Sequence, residues 1–110
     1  MTDRNTHFRD FCLGLPEVVE VLQFGYPWYK AGKKSFAILG NGTTVSINLT
    51  HELQDLMLQD ERFERSHYVG QHGWVTFTLA DVEVPTVERL VLAAYRKVAL
   101  KRMLTTLDAR

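Results

Sequence analysis

Two groups of side chains in this sequence are of types that can do chemistry. In the first, Tyr26, Trp28 and Tyr29 are interleaved with Lys30, Lys33 and Lys34. Rings that stack on bases, beside amines that meet phosphates, are a means of holding nucleic acid. The same pattern also fits a tryptophan turned inward with lysines keeping an edge strand in water. The second group holds His67, His72 and Trp74. The two histidines lie five positions apart across a glycine-containing bend, and with Tyr26 and Trp28 they can line a groove for a small ligand or a protein segment. No carboxylate or thiolate is spaced to join them around a metal ion, so no metal site is assigned.

A catalytic reading finds no motif. There is no Gly-x-Ser-x-Gly elbow, no phosphate-cradling glycine loop and no His-Glu-x-x-His pair. Asp60, Glu61 and Glu64 alternate with Arg62 and Arg65, a pattern of solvated, mutually compensating charges. The chain is therefore read as non-enzymatic and without a cofactor. The single cysteine, Cys12, can form neither an intrachain disulfide nor a thiolate cluster, and reads as a small buried hydrophobe. The opening Met-Thr-Asp-Arg-Asn-Thr-His carries no apolar run, and the longest in the last segment, Leu90 to Tyr95, is far too short to span a bilayer. These features predict a cytoplasmic protein without membrane contact.

Thirteen basic and thirteen acidic side chains cancel over 110 residues. A dedicated polyanion binder usually carries a basic excess, so the balance argues against one. The distribution is uneven, however. Residues 1–50 carry +1, residues 51–84 carry −5 and residues 85–110 carry +4. Arg96, Lys97, Lys101 and Arg102 make the last segment basic, so one face can meet a polyanion while another avoids it. With the lysines at 30, 33 and 34, these four residues form the candidate nucleic-acid surface.

The elements that must position these groups follow from apolar spacing. The length allows one domain, residues 1–110. Phe8, Phe11, Cys12 and Leu15 mark one face of a helix over about 3–14, which Thr2, Asp3 or Asn5 can cap and Pro16 closes. Short strands are predicted at 21–24 and 28–31, with Gly25-Tyr26-Pro27 turning between them. Phe36 and Ile38 alternate with Ala37 and Leu39, and Val45, Ile47 and Leu49 with Thr44, Ser46 and Asn48. Gly40-Asn41-Gly42 joins these runs into a hairpin, 33–39 with 43–49. Thr50 caps a second helix, 51–60. A polar stretch, 60–66, precedes a last strand in which Val75, Phe77 and Leu79 alternate with Trp74, Thr76 and Thr78. Gly70 and Gly73 flank Gln71-His72 in a bend. Pro85 opens an amphipathic helix over about 85–104, with Val87, Leu90, Val91, Ala94 and Val98 in one stripe. The order α-β-β-β-β-α-β-α predicts an α+β fold, an antiparallel sheet with helices packed on one face.

Four segments in register resemble the MmcQ/YjbR-like family: Phe11-Cys12-Leu13-Gly14-Leu15-Pro16, Val45-Ser46-Ile47-Asn48-Leu49, His72-Gly73-Trp74-Val75, and Ala94-Tyr95-Arg96-Lys97-Val98-Ala99 followed by Lys101-Arg102. The chain departs from the family pattern before the tryptophan, where Val69-Gly70-Gln71-His72 replaces an Asn-Lys pair, and after the strand, at Ala80-Asp81-Val82. The resemblance implies a frataxin/CyaY-like fold and a DNA-binding role. Frataxin-like iron binding would need an acidic first helix, whereas residues 3–14 carry only Asp3 and Asp10, offset by Arg4 and Arg9. The expected function is weak, salt-dependent DNA binding through the seven basic residues. The alternative is a protein-interaction or small-ligand module using the Tyr26, Trp28, His67, His72 and Trp74 groove.

Overall fold

Helix α1 (Arg4–Leu13) starts where Asp3 accepts the Thr6 amide through its side chain, as the capping pattern requires. Four strands follow: β1 (Val18–Gln23), β2 (Tyr26–Ala31), β3 (Lys34–Leu39) and β4 (Thr44–Asn48). Thr50 caps α2 (His51–Met57) by accepting from Leu53 N. Then come β5 (Glu64–Arg65), β6 (Trp74–Thr78), a 3-10 turn (Leu79–Asp81), α3 (Val84–Val98) and α4 (Lys101–Asp108). The computed structural model describes residues 3–67 and 72–110.

All six strands join one antiparallel sheet, in the order β1-β2-β3-β4-β6-β5. Directly opposed residues share a face, so the register sorts the side chains into rows. One row runs Glu20, Tyr29, Ala37, Ile47, Val75, Arg65. Its four central members are fully buried beneath the helices. They pack with Phe8 and Cys12 of α1 and with Val87, Leu90, Val91, Ala94 and Tyr95 of α3. Tyr95 donates its hydroxyl to Pro16 O at 2.8 Å, fixing α3 against the end of α1. The α+β class, with helices on one face, is therefore as expected from the sequence.

The differences are local and have physical causes. Phe36 and Ile38 do not share a face. The β2–β3 register shifts between Tyr29 and Lys30, and this bulge lets consecutive Phe36 and Ala37 both reach the core, leaving Ile38 on the other side. Tyr26 and Pro27 belong to β2, and the turn before them is only Phe24-Gly25. The second helix ends at Met57, because Asp60 accepts the Arg62 amide and pairs with its guanidinium in a turn of its own. The polar stretch contains β5, and Leu79 belongs to the 3-10 turn. The bend at Gly70-Gln71, like Thr2, lies outside the described residues.

The expected single helix over 85–104 is two. Ala99 and Leu100 are both extended, with ψ of 148° and 156°. Met103 falls five residues after Val98, off the α3 stripe, so a continuous helix would turn it away from the core. The break swings Met103 inward, where it is 1% exposed. The sequence conceals this, because Leu100, Met103, Leu104 and Leu107 keep helical spacing of their own.

Gly73 is the glycine on which the sheet most depends. Its φ is +101°, and a Cβ there would collide with the Leu49 carbonyl oxygen. Its own carbonyl accepts the Leu49 amide at 3.0 Å, extending the β4–β6 ladder by one rung. Gly73→Ala should therefore cost about 3 kcal/mol of stability in denaturant unfolding. Burial of Cys12 pushes its thiol pKa well above the usual value. The native protein should accordingly resist iodoacetamide, with modification following unfolding when read by mass spectrometry.

Candidate functional site

The second face of the sheet carries a complementary row: Val21, Trp28, Ile38, Ser46, Thr76, Glu64, one residue from each of six strands. It is apolar at the β1–β3 end, hydroxylic in the middle and acidic at the β5 end. A pocket of about 610 Å³ opens over its centre, lined by Phe24, Tyr26, Trp28, Ile38, Ser46, Ser66, His67 and Thr76. That volume lies in the range of small-molecule sites.

Each wall has a local cause. Trp28 donates its indole N–H to Gln23 O at 3.1 Å, so its polar handle is satisfied within the hairpin and its ring faces the pocket. Behind it Trp74, buried, meets the Trp28 ring edge-on, with centroids 6.2 Å apart. Phe24 stands at the mouth, 86% exposed, its ring 6.2 Å from that of Trp28. Phe24 and Gly25 both have positive φ, 52° and 84°, the conformation of a two-residue turn that normally selects asparagine and glycine. On the floor, the Thr76 hydroxyl meets both Ser46 at 2.8 Å and Ser66 at 2.7 Å.

Of the five predicted groove residues, Tyr26, Trp28 and His67 line the pocket. Trp74 supports it from behind. His72 is exposed and contributes its backbone carbonyl to a different contact, with Lys97. The sequence reading missed Phe24, Ile38, Ser46, Ser66 and Thr76. The signal for Ser46 and Thr76 was their position between buried neighbours on alternating strands. Their meeting depends on β4 pairing with β6, across an intervening helix and strand.

The seven basic residues have separate fates. Arg96 pairs with Asp108 at 2.7 Å, and Arg102 grips both carboxylate oxygens of Glu17 at 2.8 and 3.1 Å. These partners hold both arginines' pKa values above the ordinary range. Lys97 points its ammonium at Asn48 Oδ1, Leu49 O and His72 O, at 2.6, 2.7 and 2.8 Å. Its three protons thus have three acceptors. Desolvation, with Lys34 nearby as a second cause, lowers its pKa. Lys30 is half-buried opposite Val19 on the pocket face of the sheet. Lys33, Lys34 and Lys101 are exposed. The turn before Lys33 packs on the last helix, where Gly32 lies against Leu100 and Met103. Both basic groups therefore reach the same end of the molecule. Among the described residues, no three His, Cys, Asp or Glu side chains gather as a metal site, and no helix is long and apolar enough to cross a membrane.

The model of the YjbR family matches residues 13–97. The chain belongs to the YjbR family. The crystal structure of Deinococcus radiodurans protein DR2400, described as a DUF419 domain, is similar with a TM-score of 0.74. It shares 20% identity, covering 91% of this chain and 84% of that one, a likeness of fold. No curated protein matches. The matched YjbR segment runs from the end of α1 to Lys97. It thus contains every pocket residue and stops before α4.

The Lys97 contacts imply a structural role for that residue. Lys97→Met should lower stability by about 2 kcal/mol, since it strips a charged donor from three oxygens. Lys33→Met and Lys101→Met should change it by about 0.5 kcal/mol or less. Urea unfolding of the three variants checks the contrast.

Proposed function

We propose that this YjbR-family protein is a non-catalytic cytoplasmic binding module, and that its ligand is a small, largely apolar molecule held on the open face of the sheet. The observation that carries this reading is the pocket built over Trp28, Ile38, Ser46 and Thr76, with Phe24 and Tyr26 at its rim. An apolar pocket with a few convergent polar groups is the usual form of a small-molecule site. The strained turn supports the same reading. Phenylalanine in a left-handed turn position costs roughly 1 kcal/mol, and here the costly side chain is also the exposed wall of the pocket.

The test uses naphthalene as probe, followed by amide chemical shifts. Binding should move the amide signals of residues 24–26, 28, 38, 46, 66–67 and 76. Shifts absent, or confined to another surface, would overturn the reading. Phe24→Asn separates fold from function. It should raise stability by about 1 kcal/mol, because asparagine suits the turn, and should weaken naphthalene binding several-fold.

A second reading has one observation in its favour. Gly32 packing against Leu100 and Met103 brings Lys33, Lys34 and Lys101 to one end of the fold, where they can meet phosphates. The internal pairing of Arg96 and Arg102 and the anchoring of Lys97 leave this patch small. Duplex DNA binding through it would be weak and steeply salt-dependent. Duplex titration at low and at physiological salt tests it, and no binding at low salt would remove it.

A further inference from the structure

The floor of the pocket carries more information than its volume. Ser46 and Thr76 come from β4 and β6 and Ser66 from the residue after β5, and their hydroxyls form one chain centred on Thr76. Three hydroxyls own three protons, and the chain's two hydrogen bonds consume two. One proton remains to donate, and the chain can reverse direction, so the floor can offer either a donor or an acceptor. The rest of the lining is different in kind. Phe24, Tyr26, Trp28 and Ile38 are apolar or aromatic, the His67 imidazole completes the lining, and among the described residues no Lys, Arg, Asp or Glu lines the pocket. The closest charge along the row is the Glu64 carboxylate, which shares the face of Thr76.

From this juxtaposition we infer that the pocket selects an uncharged aromatic molecule carrying a single hydroxyl or carbonyl group, its ring against Trp28 and Phe24 and its polar atom on the Ser46–Thr76–Ser66 chain. The inference rests on the pocket being a ligand site, as proposed above, and adds the ligand's chemistry. Among the described residues no lysine or arginine lines the pocket to receive an anion; Lys30 and Glu64 share the face from opposite sides of it, so a full charge would be desolvated against the aromatic walls at a cost. A purely apolar ring would leave the hydroxyl floor covered and without a partner, which loses the water those groups had. A hydroxyl on the ring removes that loss. A donor–acceptor floor that can reverse accepts a phenol or a ketone alike, so the selection is for one neutral polar atom rather than for its sense.

The probes are naphthalene, 2-naphthol, 2-naphthoate and phenyltrimethylammonium, compared by chemical-shift titration at neutral pH. 2-Naphthol should bind about tenfold tighter than naphthalene, the equivalent of one recovered hydrogen bond. 2-Naphthoate and phenyltrimethylammonium should bind more weakly than 2-naphthol. The triple variant Ser46→Ala, Ser66→Ala, Thr76→Val, which removes all three hydroxyls, should reduce the 2-naphthol advantage to near unity while naphthalene binding persists. Ser46→Ala alone preserves the Thr76–Ser66 bond and should reduce the advantage by less, giving a second measurement if the triple variant folds poorly. Equal affinity for naphthalene and 2-naphthol, or tighter binding of either charged probe, would overturn the inference and leave the pocket reading standing. Failure of naphthalene and 2-naphthol alike to bind would overturn both.

Discussion

Helices cover one side of this sheet and leave the other open, and with period-2 alternation that asymmetry assigns nearly every strand residue a role. The covered row, Tyr29, Ala37, Ile47 and Val75, is fully buried. The opposite row, offset by one residue on each strand, holds Trp28, Ile38, Ser46 and Thr76. A register slip of one would exchange the rows and place hydroxyls under α3. The same pairing that builds the core therefore also aligns the pocket, and the two cannot be altered separately. The bulge after Tyr29 is where this rule is relaxed. It admits Phe36 to the core beside Tyr95, with ring centroids 5.6 Å apart, and still leaves Ile38 for the pocket.

Keeping that register requires the ends of β4 and β6 to be held together, and this is where Lys97 and Gly73 act. The glycine lets the two backbones approach more closely than any side chain permits. The ammonium then ties both to α3 by donating to the carbonyls of Leu49 and His72 and to the side-chain Oδ1 of Asn48. The opposite strand ends are held by weaker means. Asn5 of α1 donates to Gly42 O in the β3–β4 loop at 2.7 Å, and Arg4 donates to Val82 O at 2.6 Å. Much of the basic charge in the last segment is thus internal scaffolding. Its acidic partners, Glu17 and Asp108, lie outside the acidic middle of the chain, so the opposed charges of the segments are not mutually cancelled in the fold.

The elements were legible in the sequence because the strands alternate and the first two helices begin at side-chain caps. Asp3, Thr50 and the Gly40–Gly42 turn all fall where local chemistry places them. The family was legible too, through four short segments in register. What escaped was set by contacts between distant residues. Nothing local to Leu100 signals the break that delivers Met103 to the core, and β5 is two polar residues whose only strand signal is its partner. Half of the site was visible as aromatic residues, Tyr26 and Trp28, with His67. The other half, the hydroxyl chain, needs the β4–β6 and β5–β6 pairings, which no spacing reveals. Phe24 escaped for a different reason: a phenylalanine beside a glycine gives no hint that the turn will force it into positive φ.

That last residue bears on why the open face has the composition it does. An uncovered sheet face in water is normally made polar, and most of this one is. Lys30 and Glu64 stand toward its ends, and Ser46 and Thr76 occupy its centre. Against this background a patch of aromatic side chains at the β1–β2 turn is a costly exception. Trp28 can be explained by its hydrogen bond to Gln23 and its contact with buried Trp74. Among the described residues, Phe24 has only its ring contact with Trp28 to set against its cost. It is 86% exposed, its backbone is strained, and an asparagine there would relieve the strain while losing little burial. Within the fold its ring meets, among the described residues, only that of Trp28, and the ligand proposed for the pocket would cover the rest of it. The position of Phe24 decides what kind of ligand that is, because it overhangs a closed floor of three hydroxyls rather than a flat surface. A small ring with one polar atom satisfies the wall and the floor together, whereas a polyanion satisfies neither.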